Sequence, residues 1–268
     1  IRMLLTHTSS LKDDDSLLAS LYTHKEGGDS PQSMAEFIQA YFTKGGAYYN
    51  AEKNFTRDAP GTKKLYANVG FALCGYLVEC ISGRSFASFM QAKIFHPLKM
   101  YNSCWYLRDL PGHNLASPHD AHLQPIKHYG YPTVADGQMR TNITDYAQVI
   151  KLMLNGGRVG DGQFLKKETV DTFLAVQDPG VNKWQAIAWN YNEFDSWIYY
   201  LLMPRLPSHT GVDPGVNTVV SFNPDKKYGA IIFANTLTTT LKTQQVFYQA
   251  IMKRLLREAR RQKKQGIP

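Results

Sequence analysis

Pro60-Gly61-Thr62-Lys63-Lys64-Leu65-Tyr66-Ala67-Asn68-Val69-Gly70-Phe71-Ala72-Leu73 is the stretch on which the reading of this chain turns. A turn-forming Pro-Gly-Thr leads within a few residues into a periodic apolar segment. Val69, Leu73, Tyr76, Leu77, Cys80 and Ile81 recur at i, i+4, i+7 and i+8, and Gly83 is a C-terminal stop signal. The spacing predicts a helix over 68–81. Tyr66 and Asn68 stand at its start, and residues two apart do not share a helix face. Both side chains can therefore reach one cleft only from an irregular turn where the helix begins. A packing role for Tyr66 and an N-cap role for Asn68 would account for the pair without any chemistry.

Toward the N-terminus, helical pieces alternate with loops. One helix is expected to start at Ser30-Pro31, with Ser30 as N-cap and Pro31 at the first helical position, and to carry Met34, Phe37, Ile38 and Tyr41 on one face. Toward the C-terminus a second helix is expected over 85–94, ending at His96-Pro97. Covering loops rich in Pro, Gly, His and Asn follow over 101–135, then helices over 144–154 and 167–174. From Trp184 the texture changes to extended runs over 184–191, 196–203, 217–222 and 228–234, the last two joined by the turn-rich Asn223-Pro224-Asp225-Lys226-Lys227. A closing helix over 243–262 is expected to pack Val246, Phe247, Ala250, Ile251 and Leu255 on one face. Helices first, antiparallel strands last and a helix over them describe an α/β chain of the α+β type. The reading divides one domain into a mostly helical lobe with covering loops over 1–182 and strands with the C-terminal helix over 183–268.

With 268 residues, 43% apolar, 12% aromatic and 19% charged, the chain can bury enough surface to offset its ordering entropy. The net charge of +8 is concentrated. Residues 252–268 hold seven Lys/Arg against Glu258, so six of the eight net charges sit in the tail, which argues against nucleic-acid binding. Two readings of the tail stay open, a solvated helix end and contact with an anionic membrane surface. Cys74, Cys80 and Cys104 form neither a C-x-x-C pair nor a disulfide framework and are expected to be buried thiols. No apolar run reaches the length of a membrane span. The opening Ile1-Arg2-Met3-Leu4-Leu5 has mid-helix character without a cap, so the chain is expected to start at a cut, with any targeting signal upstream.

Several chemistries lack their motifs. There is no G-x-S-x-G elbow, no phosphate-cradling G-x-x-x-x-G-K-[ST] loop, no strand followed by G-x-G-x-x-G and no H-E-x-x-H. His113, His119, His122 and His128 show no recognised ligand spacing and read as loop polarity, so no metal site is expected.

Four segments taken in order change the picture. Leu4-Leu5-Thr6-His7-Thr8-Ser9, then Pro60-Gly61-Thr62 with Tyr66-Ala67-Asn68, then Gly83 with Phe95-His96-Pro97-Leu98-Lys99-Met100, and finally His209-Thr210-Gly211 resemble the class C β-lactamase and penicillin-binding-protein superfamily of serine hydrolases. That family also includes esterases and D-amino-acid peptidases. The resemblance spans nearly the whole chain, and its strength lies in the order and spacing of individually weak motifs. It implies a β-lactamase/transpeptidase-like fold, an antiparallel sheet flanked by helices with a mostly helical lobe, here without the first strands and the nucleophile helix.

In the family a Ser-x-x-Lys helix before the Leu-Leu-Thr-His segment supplies the nucleophile. The match inside this chain, Ser9-Ser10-Leu11-Lys12, coincides with the family's His-Thr-Ser-Gly loop, so Ser9 reads as structural and Ser10 replaces the usual glycine. Tyr66 matches the tyrosine that shuttles a proton, needed because a neutral hydroxyl is a poor nucleophile. Asn68 matches the asparagine that holds the acyl side chain. His209-Thr210-Gly211 matches a strand motif whose first residue is lysine in β-lactamases proper. Gly211 lets substrate approach the strand, His209 and Thr210 bind a carboxylate and tune the tyrosine, and the Val212 N–H serves as oxyanion donor. His209 in place of Lys exchanges a fixed charge for one partly present near neutral pH, which leaves the substrate class open. Asp136 replaces the first glycine of the loop Ala135-Asp136-Gly137-Gln138-Met139.

The expected function is a serine hydrolase acting through an acyl-enzyme on an amide or ester in the full-length protein, with this chain alone inactive. The alternative is a non-catalytic domain used for ligand binding or assembly. No cofactor is expected. The expected partners are a small-molecule or peptide substrate and the N-terminal segment of the same protein, and the resemblance favours a periplasmic or extracytoplasmic location.

Overall fold

A computed structural model describes residues 1–110, 115–194, 196–237 and 241–266, with the backbone alone described at 198, 241–245 and 247. Contacts group the chain into two compact units. The first comprises Ile1–Leu115, Lys127–Thr141 and Gly180–Asn182; the second comprises Ala116–Ile126, Asn142–Pro179 and Lys183–Pro268.

The first unit is built from helices α1 (Arg2–Leu5), α2 (Asp15–Ser20), α3 (Met34–Phe42), α4 (Ala51–Asn54), α5 (Asn68–Ser82) and α6 (Phe86–Met90), the last continued by a π-helical turn over Gln91–Phe95. α3 starts three residues later than the sequence suggests. Ser33, not Ser30, is its N-cap, because a capping box with Glu36 is available there: Ser33 N–H donates to Glu36 Oε2 at 2.8 Å and Glu36 N–H to Ser33 Oγ at 3.3 Å. Its buried Met34, Phe37, Ile38 and Tyr41 meet Ala67, Val69 and Ala72 at the start of α5. Full burial of each large side chain contributes about 1.5–3 kcal/mol.

The expected stripe of α5 holds at its start, where Val69 is buried and Leu73 and Tyr76 pack against the core, and fails at its end. Val69, Gly70, Ala72 and Gly75 are buried, whereas Ile81 is 81% exposed and Cys80 is exposed. The small residues let neighbouring backbone approach, and a Cβ on Gly75 would collide with Ala135 Cβ and come within 3.1 Å of Met34 Sδ. Of the three cysteines only Cys104 is buried; Cys74 is half-buried, and all three are free.

The second unit contains α7 (Ile143–Leu154), the short pair β1 (Arg158–Val159) and β2 (Gly162–Gln163), α8 (Lys167–Leu174), α9 (Trp197–Leu202), β3 (Ser208–Asp213), β4 (Val216–Asn223), β5 (Tyr228–Ala234) and α10 (Leu241–Lys264). β3, β4 and β5 form an antiparallel sheet in that order, with Thr210 opposite Val219 and Val219 opposite Ile232. Strand alternation sends Val219 and Ile232 to the face covered by Tyr248, Met252 and Leu256 of α10, and Val220, Phe222 and Ile231 to the face covered by Ile150, Met153 and Val170.

Three expectations fail here. The run 196–203 is a helix: Ser196 Oγ accepts the Tyr199 N–H at 3.2 Å as N-cap, and Tyr199 and Met203 bury one side. A continuous apolar run does not distinguish strand from helix, and the cap decides it. The run 184–191 is a tight reversal about Ala188 (φ 61°), closed by Ala186 N–H to Trp189 O at 2.9 Å. α10 buries Tyr248, Met252 and Leu256, not the expected face: Val246 is 60% and Leu255 39% exposed, and the Phe247 side chain lies outside the described residues. Among the described residues no helix is long and apolar enough to cross a membrane, and no three His, Cys, Asp or Glu side chains gather to hold a metal. His113 lies outside the described residues.

Candidate active site

In the first unit the Tyr66-Ala67-Asn68 turn is held from two sides. α1 ends in a polar turn in which His7 takes a left-handed backbone (φ 57°) and is buried, 4% exposed. His7 Nδ1 accepts the Ala67 N–H at 3.2 Å, and its carbonyl accepts the Leu65 N–H at 2.8 Å. The imidazole stacks on the Tyr66 ring, centroids 4.1 Å apart, and touches Phe71 at 5.3 Å. One face of Tyr66 is thus covered, yet the residue is 51% exposed, which does not fit a packing role.

On the other side, Asp13 does what no residue next to the helix does. Ala67 occupies the N-cap position of α5 without a capping side chain. The Asp13 carboxylate instead accepts the Asn68 N–H (2.8 Å), the Asn68 side-chain amide (3.0 Å) and the Val69 N–H (3.0 Å). Asn68 is therefore the first residue of the helix and not its cap. Burial pushes the Asp13 carboxyl above its ordinary value, while these three donors pull it down. Asp13 is itself positioned by the buried Tyr41, whose hydroxyl donates to Lys12 O at 2.8 Å and accepts the Asp14 N–H at 2.9 Å. Neither Asp13 nor Tyr41 carries a local signal of this role. The available hint was negative: a helix starting after Tyr-Ala has no capping side chain of its own, so its free N–H groups must find an acceptor elsewhere.

Ser9 lies in a bend and Leu11 in an isolated bridge to Phe55, so Ser9 and Lys12 are not one turn apart on a helix. Ser10 keeps the left-handed backbone (φ 62°) that suits glycine, and its hydroxyl donates to Asp58 O at 2.6 Å. Asp136 sits in a 3₁₀ turn over Val134–Asp136 that packs on α5. Just beyond it, buried Gln138 ties the loop down, accepting the Tyr131 N–H at 2.7 Å and donating to Trp105 O at 2.9 Å.

In the second unit His209, Thr210, Gly211 and Val212 lie on β3, whose one side pairs with β4. The other edge is partly occupied. Ser208 N–H donates to Asn190 O at 3.2 Å, and Thr210 donates to Glu193 Oε1 from both its N–H (2.9 Å) and its hydroxyl (2.6 Å). Alternation turns the Val212 N–H to the same edge, and Val212 is 52% exposed. A backbone donor on a strand edge is the kind of group that holds a substrate carbonyl or an oxyanion. Gly211 has an internal reason to lack a side chain: a Cβ there would lie 2.5 Å from Thr218 Oγ1, its cross-strand neighbour. Glu193 was not foreseen from the sequence, being a lone acid in an aromatic-rich stretch. Tyr66 with Asn68 and the four strand residues belong to different units, and each group is built within its own.

A family model described as Beta-lactamase matches residues 1–250. A putative D-alanyl-D-alanine carboxypeptidase from Escherichia coli O157:H7 is 22% identical over 264 residues, covering 84% of this chain and 58% of that protein. Penicillin-binding protein 4* of Bacillus subtilis (strain 168) is 26% identical over 275 residues, covering 94% of this chain and 54% of that protein. The chain thus spans about half the length of these curated relatives. Among solved structures, the D-amino acid amidase of Ochrobactrum anthropi SV3 complexed with L-phenylalanine superposes with a TM-score of 0.67 at 16% identity, over 96% of this chain and 69% of that one. Helices in one unit, a helix-flanked antiparallel sheet in the other and a family match over residues 1–250 place this chain in the beta-lactamase family.

Proposed function

We propose that this chain provides the proton-transfer and substrate-binding part of a serine hydrolase that cleaves an amide or ester bond through an acyl-enzyme, and that the nucleophilic serine comes from sequence outside these 268 residues. The observation that carries the reading is the outer edge of β3, where the Val212 N–H follows the Ser208 and Thr210 donors in register. Such a preorganised donor stabilises the oxyanion of a tetrahedral intermediate, an effect on the order of 10²–10³ in rate for a single donor. Tyr66 is the proton shuttle in this reading, with one ring face held by His7 and the residue half in solvent. Asn68, anchored through Asp13, binds the acyl side chain. The names of the relatives, a D-alanyl-D-alanine carboxypeptidase and a D-amino acid amidase, suggest substrates built on D-amino acids.

The test compares the 268-residue chain with its parent protein on a chromogenic ester, a D-alanyl amide and a chromogenic β-lactam. The parent is expected to turn over at least one of them and to lose about 10²-fold or more in kcat on Tyr66→Phe; the chain alone is expected to be inactive. An inactive parent would favour a non-catalytic domain that binds ligands or supports assembly. Turnover by the 268-residue chain that Ser9→Ala abolishes would overturn the assignment of the nucleophile.

A further inference from the structure

Glu193 lies against Thr210 on the edge of β3 away from β4. Its backbone is fixed on both sides. Upstream, Asn190 pairs with Ser208 through two hydrogen bonds of 3.0 and 3.2 Å, and Asn190 Oδ1 accepts the Asn192 N–H at 2.8 Å, turning the chain back along β3. Downstream, Phe194 is buried against Tyr199, centroids 4.6 Å apart, and its carbonyl accepts from Gln249 at 3.3 Å. Between these anchors the Glu193 side chain reaches Thr210, and one carboxylate oxygen takes both the N–H (2.9 Å) and the hydroxyl (2.6 Å). A charge-assisted pair of this kind is about twice as strong as its neutral counterpart.

We infer that Glu193 is a specificity-determining residue that fills the anion-accepting position of β3 and so directs the site toward substrates uncharged at that end, amides or esters rather than free carboxylates. The inference rests on β3 being the substrate edge, as proposed above. A substrate carboxylate arriving at Thr210 would have to displace Glu193 from two donors and then lie beside it, and two carboxylates sharing a site disfavour each other's ionised forms. A neutral carbonyl can use the Val212 N–H and leave the Glu193–Thr210 pair intact.

The experiment titrates the 268-residue chain, Glu193→Ala and Glu193→Gln with N-acetyl-D-alanyl-D-alanine and with its C-terminal amide, following the Thr210 and Val212 amide resonances by NMR. In the native chain the amide is expected to bind roughly tenfold to a hundredfold more tightly than the acid. In Glu193→Ala that preference should collapse or invert. Glu193→Gln, which keeps the shape and an acceptor but not the charge, should lose most of it as well. Equal binding of acid and amide by the native chain, or an unchanged preference in both variants, overturns the role of Glu193 while leaving the edge reading intact. If neither ligand moves the Val212 resonance in any of the three proteins, the reading of β3 as the substrate edge falls, and this inference with it.

Discussion

The Asp13 carboxylate and the Asn68 amide are joined at 3.0 Å across 55 residues of sequence, and the same carboxylate takes the first two N–H groups of α5. One acid thereby caps a helix from a distant loop and orients the side chain that the proposed mechanism uses on substrate. Asp13→Ala leaves three donors without their acceptor and is expected to cost about 1–3 kcal/mol of stability, measured by urea denaturation. The cost should be centred on the first turn of α5, read as faster amide exchange at Asn68 and Val69 than at Leu77. Uniform exchange rates along α5 in the variant would refute the capping role.

The same group sets a pH dependence. Burial raises the Asp13 carboxyl above its ordinary 3.8. Between 3.8 and that raised value the folded chain holds this proton more tightly than the unfolded chain does. The contribution of Asp13 to stability is therefore expected to fall as pH rises through that window. The stability of the native chain relative to Asp13→Asn, followed upward from pH 3.8, should decline; a difference that grows over the same range would contradict the direction.

Much of the fold was legible before any coordinates because local signals and tertiary outcome agree at particular residues. Gly83 ends α5 in the left-handed conformation (φ 66°), Asn142 caps α7, and the Asn223–Lys227 turn joins β4 to β5. Where several local solutions compete, side-chain caps decided. Ser33 prevailed over Ser30 because Glu36 completes its box, and Trp197–Leu202 became helix because Ser196 caps it. The end of the α5 stripe and the buried face of α10 were misjudged because hydrophobicity alone ranks Ile81 above Gly75 and does not separate Val246 from Met252, whereas close approach of Ala135 selects glycine on α5 and the sheet takes Tyr248, Met252 and Leu256 of α10. Tyr66, Asn68 and the His209–Val212 strand were readable as an ordered pattern. Asp13, Tyr41 and Glu193 were not, since each acts through a partner at least 17 residues away and resembles an ordinary loop or core residue in sequence.

Gly75 is expected to tolerate no side chain. Gly75→Val would drive its Cβ into Ala135 and force the 3₁₀ turn over Val134–Asp136 away from α5, costing about 1–3 kcal/mol or more. Thermal unfolding measures the loss. Full native stability in Gly75→Val would mean that the turn is free to move.

Cys80 and Cys104 should separate cleanly on alkylation. Cys80 is exposed, whereas Cys104 is 4% exposed, donates to Tyr106 O at 3.2 Å and is pushed up to about 11 by burial. At pH 8 its thiolate is then roughly a thousandth of the population even before access is considered. Iodoacetamide is expected to label Cys80 first in the folded chain and Cys104 only after denaturation, read by peptide mass mapping. Rapid labelling of Cys104 under native conditions would show that its surroundings open.

Gly211 has a packing reason to be glycine and, under the proposed function, a substrate-binding one, and a double-mutant cycle can part them. Within the sheet a methyl at 211 would press on Thr218 Oγ1 at 2.5 Å, so Gly211→Ala is expected to cost about 1–3 kcal/mol. Thr218→Ala removes that hydroxyl, and the next nearest atom, Thr218 Cβ, lies at an ordinary 3.8 Å. The double variant should therefore recover most of the loss, with a coupling on the order of 1 kcal/mol or more by denaturation. If β3 also requires glycine for substrate to approach its edge, the same double variant in the parent protein will be stable yet impaired, with KM raised and kcat reduced. Recovery of stability and activity together would assign Gly211 to sheet packing alone, and failure to recover stability would locate the clash somewhere other than Thr218.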